Sequence, residues 1–294
     1  MLPAEVMRQV RRLQLKARRA VRTLMGGEYR SAFKGTGLSF EEVREYQPGD
    51  DTRSIDWNVT ARMGHPFIKR YAEERELTVL LMVDLSGSQR FGTGAVTKRA
   101  VAAELAAVLA FAAVSHNDRV GMLGFTDQIE RYIPASKGPR HALRVLRDVL
   151  FFEPERSGTD LNAALEYLNR VHRRRTIVFL FSDFLHDGTV DSFRRAAQQH
   201  DLIAVRTTDP REQDWPSAGL LRIEDAETGR QAVIDTSNPR FQTAFAARAK
   251  ARREAFTNLV RSAQVDLIDV STDGNHFDAL LRFFQLRDRR RRGG

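Results

Sequence analysis

From residue 77 onward, short apolar runs alternate with longer segments whose apolar residues recur at helical spacing. The apolar runs include LTVLLMVDL, RTIVFLFSDF and DLIAVRTTD, and the segments between them include AVAAELAAVLAFAAV and GTDLNAALEYLNRVH. Continuous apolar strands separated by helices are typical of a parallel sheet that helices cover on both faces. We therefore predict a doubly wound α/β domain over residues 77–286, with a mostly parallel sheet flanked by helices.

Two segments depart from this alternation. Around residues 217–237 the pattern has a period of two, with Glu227, Thr228 and Gly229 at its centre, which predicts a β-hairpin inserted into the α/β domain. Residues 29–76 contain two turn signals, PGDD and MGHP, between short extended runs. Turns of this kind between extended runs predict a small β-rich segment that precedes the α/β domain.

Both ends of the chain are basic. In residues 1–28, apolar positions at helical spacing alternate with Arg and Lys, which predicts a basic amphipathic helix whose apolar side docks on the folded body. Residues 287–294 are predicted to form an Arg-rich tail. The formal net charge of +9 is concentrated in these two ends, so we expect no general nucleic-acid groove on the folded body. Binding of nucleic acid through the basic ends remains an alternative.

The composition excludes several kinds of site. The chain has no Cys, which excludes disulfides, thiolate zinc sites and thiol nucleophiles. The first residues lack the apolar core of a signal peptide, and no stretch reaches the ~18 uncharged apolar residues that a membrane span needs. We therefore expect a cytoplasmic protein without a transmembrane segment.

Oxygen-bearing side chains stand at or near the predicted ends of strands. Asp84, Ser86 and Ser88 directly follow the strand LTVLLMV, Thr159 stands in SGTDLNAAL, and Asp183 lies near the end of FLFSDF. Ligands of open α/β sheets bind beyond the carboxyl ends of the strands, where loops from neighbouring strands meet. We therefore expect these five side chains to converge on one site.

The five side chains offer only carboxylate and hydroxyl oxygens, a donor set suited to a hard cation such as Mg²⁺ or Mn²⁺. Such a set only partly neutralises a divalent ion, and one position would stay open for an acidic side chain of a partner. Asp160 either supports this metal site from outside the ligand set or caps the helix that begins LNAAL. The alternative to a metal site is that Asp, Ser and Gly form ordinary turns here.

Together these residues resemble the metal-ion-dependent adhesion site (MIDAS) of von Willebrand factor A-type (vWA) domains, which are Rossmann-like; the matching residues are Asp84, Ser86, Ser88, Thr159 and Asp183. The upstream run YQPGDDTRSIDWNVTARMGHPFIKRYAEERE is similar to the signature of a bacterial family, domain of unknown function number fifty-eight. In that family, such a segment precedes an A-type domain. The late runs DAETGRQAVIDTSN and ALLRFFQLRDRRR are also similar to the family.

The resemblance implies a non-enzymatic protein-interaction module. Family members are linked to MoxR-type AAA+ ATPases and are thought to act as adaptors or assembly factors, so a chaperone-like adaptor that binds a partner's acidic residue through Mg²⁺ is implied. We expect no nucleotide on this chain itself. The run FGTGAVTKR lacks the spacing of a phosphate loop, so Lys98 is not expected to contact a nucleotide.

The signature segment is rich in charged residues of alternating sign, which we interpret as a structural brace to the α/β domain rather than a reactive site. The residues assigned to this signature are Arg44, Tyr46, Asp50, Asp51, Arg53, Asp56, Trp57 and Arg62.

The enzymatic alternative is a Mg²⁺-dependent, phosphatase-like hydrolase that uses Asp84 as its nucleophile. Such enzymes are similar in having a D-x-D sequence. This chain has Asp84 at the first position of that sequence but Ser86 where the second Asp would stand. We therefore expect no enzymatic activity, and hydrolysis of a generic phosphoester is the observation that would favour the alternative.

Overall fold

The computed structural model describes residues 4–24, 29, 32–33, 39–72, 76–185 and 190–292. The chain divides into two compact units, of which the larger comprises Met1–Ala32 with Thr78–Gly294 and the smaller comprises Phe33–Leu77. The described strands are β1 (Ser39–Glu45), β2 (Phe67–Ala72), β3 (Thr78–Asp84), β4 (Arg119–Phe125), β5 (Ile129–Ser136), β6 (Ile177–Ser182), β7 (Asp201–Thr208), β8 (Leu220–Glu224), β9 (Gln231–Asp235) and β10 (Asp266–Ser271). The described helices are α1 (Ala4–Leu24), α2 (Trp57–Met63), α3 (Lys98–Ser115), α4 (Pro139–Phe151), α5 (Leu161–Val171), α6 (Val190–Gln199), α7 (Pro239–Ser262) and α8 (His276–Arg292).

A six-stranded sheet forms the centre of the larger unit, in the order β10-β7-β6-β3-β4-β5. Every neighbouring pair is parallel except β4 and β5, which are antiparallel. Strands β3 and β6 are buried along almost their whole length, which explains why their sequences are continuously apolar rather than alternating. The predicted α/β fold with a mostly parallel sheet flanked by helices is confirmed.

The basic helix α1 belongs to the larger unit and packs on α3. Its apolar positions Val10, Leu13 and Ala17 are buried, and Lys16 Nζ pairs with Glu104 of α3 at 2.6 Å. Because α1 covers one side of α3 while the sheet covers another, α3 is apolar nearly all round. Residues 25–28, at the end of the predicted helix, lie outside the described residues.

A second layer of helices includes α5, α6 and α7. Side chains from these helices, among them Leu165, Phe193 and Phe256, form one core cluster with Leu80 and Leu180 of the central strands. This core holds the carboxyl ends of β3 and β6 in place, and the candidate site is built on those two ends.

The hairpin predicted near residues 217–237 is confirmed as β8 and β9, which pair from Leu220 with Asp235 to Glu224 with Gln231. It is inserted between β7 and α7. In its turn the carboxylate of Asp225 accepts hydrogen bonds from the backbone N–H groups of Glu227 and Thr228. Gly229 has a φ of 68°, which favours Gly at this position.

The Arg-rich end is not a separate tail, as was predicted for residues 287–294, because α8 continues through Arg292. Arg287 is mostly buried and pairs with Asp201 and Asp266, while Arg290 pairs with Asp266 at 3.0 Å. Arg is a good helix former, and these ion pairs hold the end of α8 against the ends of β7 and β10. The pattern of charge alone did not distinguish this helix from a solvated tail.

The smaller unit contains an antiparallel pair of strands, β1 and β2, as expected for a β-rich segment. It also contains α2, a helix that was not predicted. Asp56 accepts hydrogen bonds from Asn58 N and Val59 N at the start of α2, and Gly64 ends the helix in the left-handed conformation. These two local signals, an N-cap Asp and a terminal Gly, could have predicted α2.

Several signature residues have clear structural roles inside the smaller unit. The guanidinium of Arg44 donates two hydrogen bonds to the carboxylate of Asp50, at 2.9 and 2.7 Å. Asp51 caps the turn Thr52–Ser54, and Tyr46 N donates to Pro66 O at 2.9 Å. The side chains of Arg53, Trp57 and Arg62 are exposed, with Trp57 at 70%. Their predicted role as a brace to the larger unit stays a prediction.

In the part of the chain that the structure describes, no helix combines the length and apolarity needed to cross a membrane.

Candidate metal centre

The candidate site lies where the order of strands changes direction. Strand β3 has β4 on one side and β6 on the other, so the connections after β3 and β6 leave on opposite sides of a crevice at the carboxyl ends. Asp84 is the last residue of β3, and Asp183 directly follows the last residue of β6. Because β3 and β6 are neighbouring parallel strands, the sheet itself brings these two carboxylates together.

A chain of hydrogen bonds connects four of the five predicted ligands. Asp84 accepts hydrogen bonds from Ser182 Oγ at 2.7 Å and from Ser86 N at 2.9 Å. The hydroxyl oxygens of Ser86 and Ser88 lie 3.0 Å apart, and Ser88 Oγ donates to Asp183 Oδ2 at 2.7 Å. The structure therefore brings Asp84, Ser86, Ser88 and Asp183 into one cluster of oxygens.

Both carboxylates of this cluster are buried, Asp84 at 2% exposure and Asp183 at 3%. Burial, the larger cause, and the negative charge of Asp183 together raise the pKa of Asp84 to about 6. Hydrogen bonds from Ser86 and Ser182 act in the opposite direction on this pKa but do not outweigh burial. The cluster thus holds more negative charge than its own donors stabilise, which favours a bound cation.

Lys98 is a member of the site that the sequence analysis missed. Its side chain is fully buried, and Nζ donates to Asp183 Oδ2 at 2.7 Å and also pairs with Glu212. Burial acts to lower the pKa of Lys98, but Asp183 and Glu212 outweigh burial, so the pKa is raised and the ammonium stays charged. A Lys in the first turn of a helix opposes the helix dipole, and this could have been read as a sign of a buried acidic partner.

Thr159 does not join the chain of hydrogen bonds between the other four predicted ligands. Its Oγ1 donates to Glu227 Oε1, at the tip of the hairpin, at 2.9 Å. The loop that carries Thr159 is joined to the turn of residues 86–88, called the serine turn below, by a hydrogen bond from Gly87 N to Ser157 O at 2.8 Å. Thr159 therefore lies on the neighbouring loop, and its present partner is a carboxylate of the chain itself.

Asp160 has the capping role that the sequence analysis left open. Its carboxylate accepts a hydrogen bond from Ala163 N at 3.0 Å at the start of α5. Its backbone N–H donates to Thr126 O at 2.9 Å, which ties the loop before α5 to the end of β4. The cap accounts for an Asp at this position without a metal.

The donor set suits a small divalent cation by its chemistry, and the hydrogen-bonded spacing of its oxygens is compatible with one ion. Metal–oxygen distances of ~2.05 Å place neighbouring ligand oxygens of an octahedron ~2.9 Å apart, close to the spacing between the serine hydroxyls and from Ser88 to Asp183. Among the described residues, no group of three or more His, Cys, Asp or Glu side chains could hold a metal ion. The fit therefore rests on two carboxylates combined with hydroxyl oxygens.

An apolar cavity of about 310 Å³ opens beside the oxygen cluster. Ser88 and Asp183 form part of its lining, and aromatic side chains form much of the rest. Phe91 and Leu185, at 41% and 40% exposure, are two exposed apolar residues of this cavity. The oxygen cluster is thus continuous with a surface that can bind an apolar group.

The fold and the site together define a doubly wound α/β protein with an oxygen-rich, acidic crevice at the switch point of its sheet. The family described as Protein of unknown function DUF58 matches residues 42–255, and the chain belongs to this family. It is 32% identical over 287 residues to uncharacterized proteins of Mycobacterium bovis and Mycobacterium tuberculosis, covering 95% of this chain and 89% of theirs.

Among solved structures, the chain is similar to a crystal structure of the conserved hypothetical protein BatB from Bacteroides thetaiotaomicron. The sequence identity is 16% and the TM-score is 0.43, and the match covers 72% of this chain and 99% of that chain.

Proposed function

We propose that this protein is a non-enzymatic, metal-dependent protein-interaction module of the vWA type, which binds an acidic side chain of a partner through a Mg²⁺ or Mn²⁺ ion. The observation that carries this proposal is the buried cluster of oxygens from Asp84, Ser86, Ser88 and Asp183. Thr159, on the adjacent loop, completes the proposed ligand set. A bound divalent ion would supply positive charge to the cluster and an open position for a carboxylate.

The residues of the chain have different roles in such a site. Asp84 and Asp183 provide negative charge on neighbouring strands, and the serine hydroxyls add neutral oxygens. Because the ammonium of Lys98 already offsets part of the charge of Asp183, a bound divalent ion would be left short of negative charge. Lys98 holds Asp183 from the side away from solvent, because its ammonium is fully buried. Since Asp84 has a pKa of about 6, its protonation competes with metal binding below that pH.

The partner class is proposed from the family resemblance. We propose that the chain works as an adaptor or assembly factor with a MoxR-type AAA+ ATPase. The acidic crevice supports metal-mediated recognition. Its proposed ligands are carboxylates and neutral hydroxyls, none of which attracts a partner's carboxylate. A bound metal ion would supply the positive charge that such a carboxylate needs.

Isothermal titration of Mn²⁺ and of Mg²⁺ into the full chain tests the metal site. We expect one ion per chain for wild type and an affinity loss of at least about tenfold for Asp84→Asn, since replacing even a residue that only supports a metal ligand typically costs about 10–100-fold. The matched control is Asp127→Asn, which removes an exposed charge from the loop after β4. Equal affinity of wild type and Asp84→Asn would contradict the proposed site.

The same variants test the enzymatic alternative. Asp84 is buried and both of its oxygens accept hydrogen bonds, which disfavours attack on a phosphoester. We expect no Mg²⁺-dependent hydrolysis of p-nitrophenyl phosphate by wild type above the Asp84→Asn background. Hydrolysis that disappears in Asp84→Asn would instead support the phosphatase-like function.

A further inference from the structure

The tip of the β8–β9 hairpin contacts two of the three loops that carry the proposed metal ligands. A Cβ at Gly87 would lie 2.0 Å from Ala226 O, so Gly is required where the hairpin tip packs on the serine turn. The main-chain oxygen of Glu227 accepts a hydrogen bond from Ser157 Oγ at 2.8 Å. The tip is therefore held by specific contacts with the turn that contains Gly87 and with the loop that carries Thr159.

The carboxylate of Glu227 takes part in the same contact. Its Oε1 accepts the hydrogen bond of Thr159 Oγ1 at 2.9 Å, and Thr159 is one of the proposed metal ligands. The proposed function requires that a partner's carboxylate reaches this site. The hairpin thus presents there, from within the chain, the chemical group that the partner would supply.

The residue before Glu227 lies beside the apolar cavity. Ala226 is part of the cavity lining, together with Ser88 and Asp183 of the oxygen cluster. Because the side chain of Ala226 is only a methyl group, it fills little of this space, and a cavity of about 310 Å³ remains beside the tip. That volume lies in the range of binding pockets and has room for a large apolar side chain. The aromatic residues of its wall are Phe91, Phe184, Trp215, Phe245 and Phe256.

The cavity also has a positively charged edge. Arg211, Arg248 and Arg252 contribute to its lining and are exposed. Within the described ranges none of these three side chains has a carboxylate at salt-bridge distance, in contrast to Arg206 of the same cavity, which pairs with Asp269. An edge of unpaired guanidinium groups around an apolar cavity complements a partner that is both apolar and acidic.

Building on the proposed function, we propose that the metal centre and this cavity together bind a partner segment in which a large apolar residue directly precedes an Asp or Glu. In the resting chain, Ala226 and Glu227 occupy the site as a weaker, internal version of that segment. The partner's carboxylate replaces that of Glu227 beside Thr159 and reaches the metal ion, its apolar side chain fills the cavity, and further acidic residues contact the Arg edge.

This competition has a quantitative consequence. A hairpin tip that covers the site about 90% of the time raises the apparent dissociation constant of the partner about tenfold, because only the uncovered fraction can bind. Glu227→Gln keeps the size of the side chain but removes the charge that competes for the metal. The variant should therefore bind the partner segment about tenfold more tightly.

The test uses a fluorescein-labelled hexapeptide with Phe-Glu at its centre and Gly and Ser on both sides, followed by fluorescence anisotropy with the full chain in saturating Mg²⁺. The matched control is Glu224→Gln, which makes the same charge change on an exposed residue of the same hairpin. We expect Glu227→Gln to bind about tenfold more tightly than wild type and Glu224→Gln. We expect a Phe-Gln peptide to show no Mg²⁺-dependent binding and an Ala-Glu peptide to bind at least about tenfold more weakly.

Hydrogen exchange on the wild-type chain gives a second measurement that needs no variant. In saturating Mg²⁺, the Phe-Glu peptide should increase amide exchange in residues 225–230, because the hairpin tip leaves the site. Unchanged exchange there with peptide bound would overturn the proposal. Light scattering of Glu227→Gln should show a monomer, and a dimer would mean that a second copy of the chain, not a separate partner, fits the exposed site.

The results separate this inference from the function on which it depends. If wild type fails to bind Mn²⁺ in the titration, the proposed function fails and the inference fails with it. If Mn²⁺ binds as expected while wild type and Glu227→Gln bind the Phe-Glu peptide equally, only the role of the hairpin is overturned. Binding of Phe-Gln as tightly as Phe-Glu would overturn the requirement for an acidic residue.

Discussion

Two buried aspartates at the same edge of the sheet have opposite electrostatics. Asp84 ends β3 and Asp209 follows β7, at 2% and 0% exposure. Burial raises the pKa of both carboxyl groups, but at Asp209 the hydrogen bonds from Thr272, Thr93 and Arg211 outweigh burial, and its pKa is lowered. At Asp84 burial and the charge of Asp183 prevail, and its pKa is raised to about 6.

Asp84 and Asp209 differ in the number of hydrogen-bond donors to their carboxylates. The carboxylate of Asp209 accepts hydrogen bonds from Thr93 N and Oγ1, Thr272 Oγ1 and Arg211 N, and thereby joins the loops after β3, β7 and β10. Asp84 has fewer donors and lies near a second carboxylate. A buried carboxylate with enough donors is a structural element, whereas one without them is poised to bind a cation.

The largest expected effect comes from removing the charge of each aspartate. Asp209→Asn should lower the free energy of unfolding by about 2–4 kcal/mol, because one acceptor of a charged, buried network becomes a donor. Asp84→Asn should stay within about 1 kcal/mol of wild type in EDTA, because it also relieves repulsion with Asp183. Urea denaturation at neutral pH measures both, and a greater loss in Asp84→Asn would reverse the comparison.

The second expected effect is a difference in the pH dependence of stability. The carboxyl of Asp84 has a pKa of about 6 in the folded chain and ~3.9 in the unfolded chain, so the folded state binds more protons between these values. The free energy of unfolding should therefore fall as the pH rises from about 4 to about 6, by on the order of 2–3 kcal/mol. Urea denaturation in EDTA at several pH values measures the free energy of unfolding of wild type and of Asp84→Asn. The difference between these two free energies at each pH isolates the contribution of Asp84.

Asp209 should show the opposite dependence at lower pH. Because its pKa is lowered on folding, it contributes stability above the pKa of the unfolded chain, and this stability is lost as the pH falls through the folded value. The same denaturation series with Asp209→Asn measures the loss below about pH 4. Parallel pH profiles for the two variants would contradict the distinction between the aspartates.

The smallest expected effect concerns Asp160, the third aspartate on the loops at this edge. Asp160→Ala should cost about 1 kcal/mol of stability, because it removes the cap of α5, and should leave Mn²⁺ affinity unchanged. Thr159→Ala, its neighbour and matched control, should lower Mn²⁺ affinity with little loss of stability. Thermal melts and Mn²⁺ titration measure the pair, and weaker Mn²⁺ binding by Asp160→Ala would place Asp160 in the metal site.

Local patterns were enough to predict most of the fold. The apolar runs predicted β3, β6 and β7, and the two-residue period predicted the β8–β9 hairpin, because each pattern is read within a few neighbouring residues. The close approach of Asp84, Ser86, Ser88 and Asp183 could be predicted for the same reason. These residues follow recognisable strands, and parallel strands end at one edge of a sheet.

The remaining parts of the site depend on contacts between distant segments. Lys98 is 85 residues from Asp183 and 114 from Glu212, and Thr159 is 68 residues from Glu227. No local period predicts such a pairing. The Lys in the first turn of α3 suggests an acidic partner but does not say which one, and Glu227 has the sequence context of an ordinary hairpin turn. Which charge is buried beside which depends on the order of strands and on the position of the inserted hairpin. For this reason the contacts of Lys98 and Glu227 at this site could be identified only from the tertiary structure.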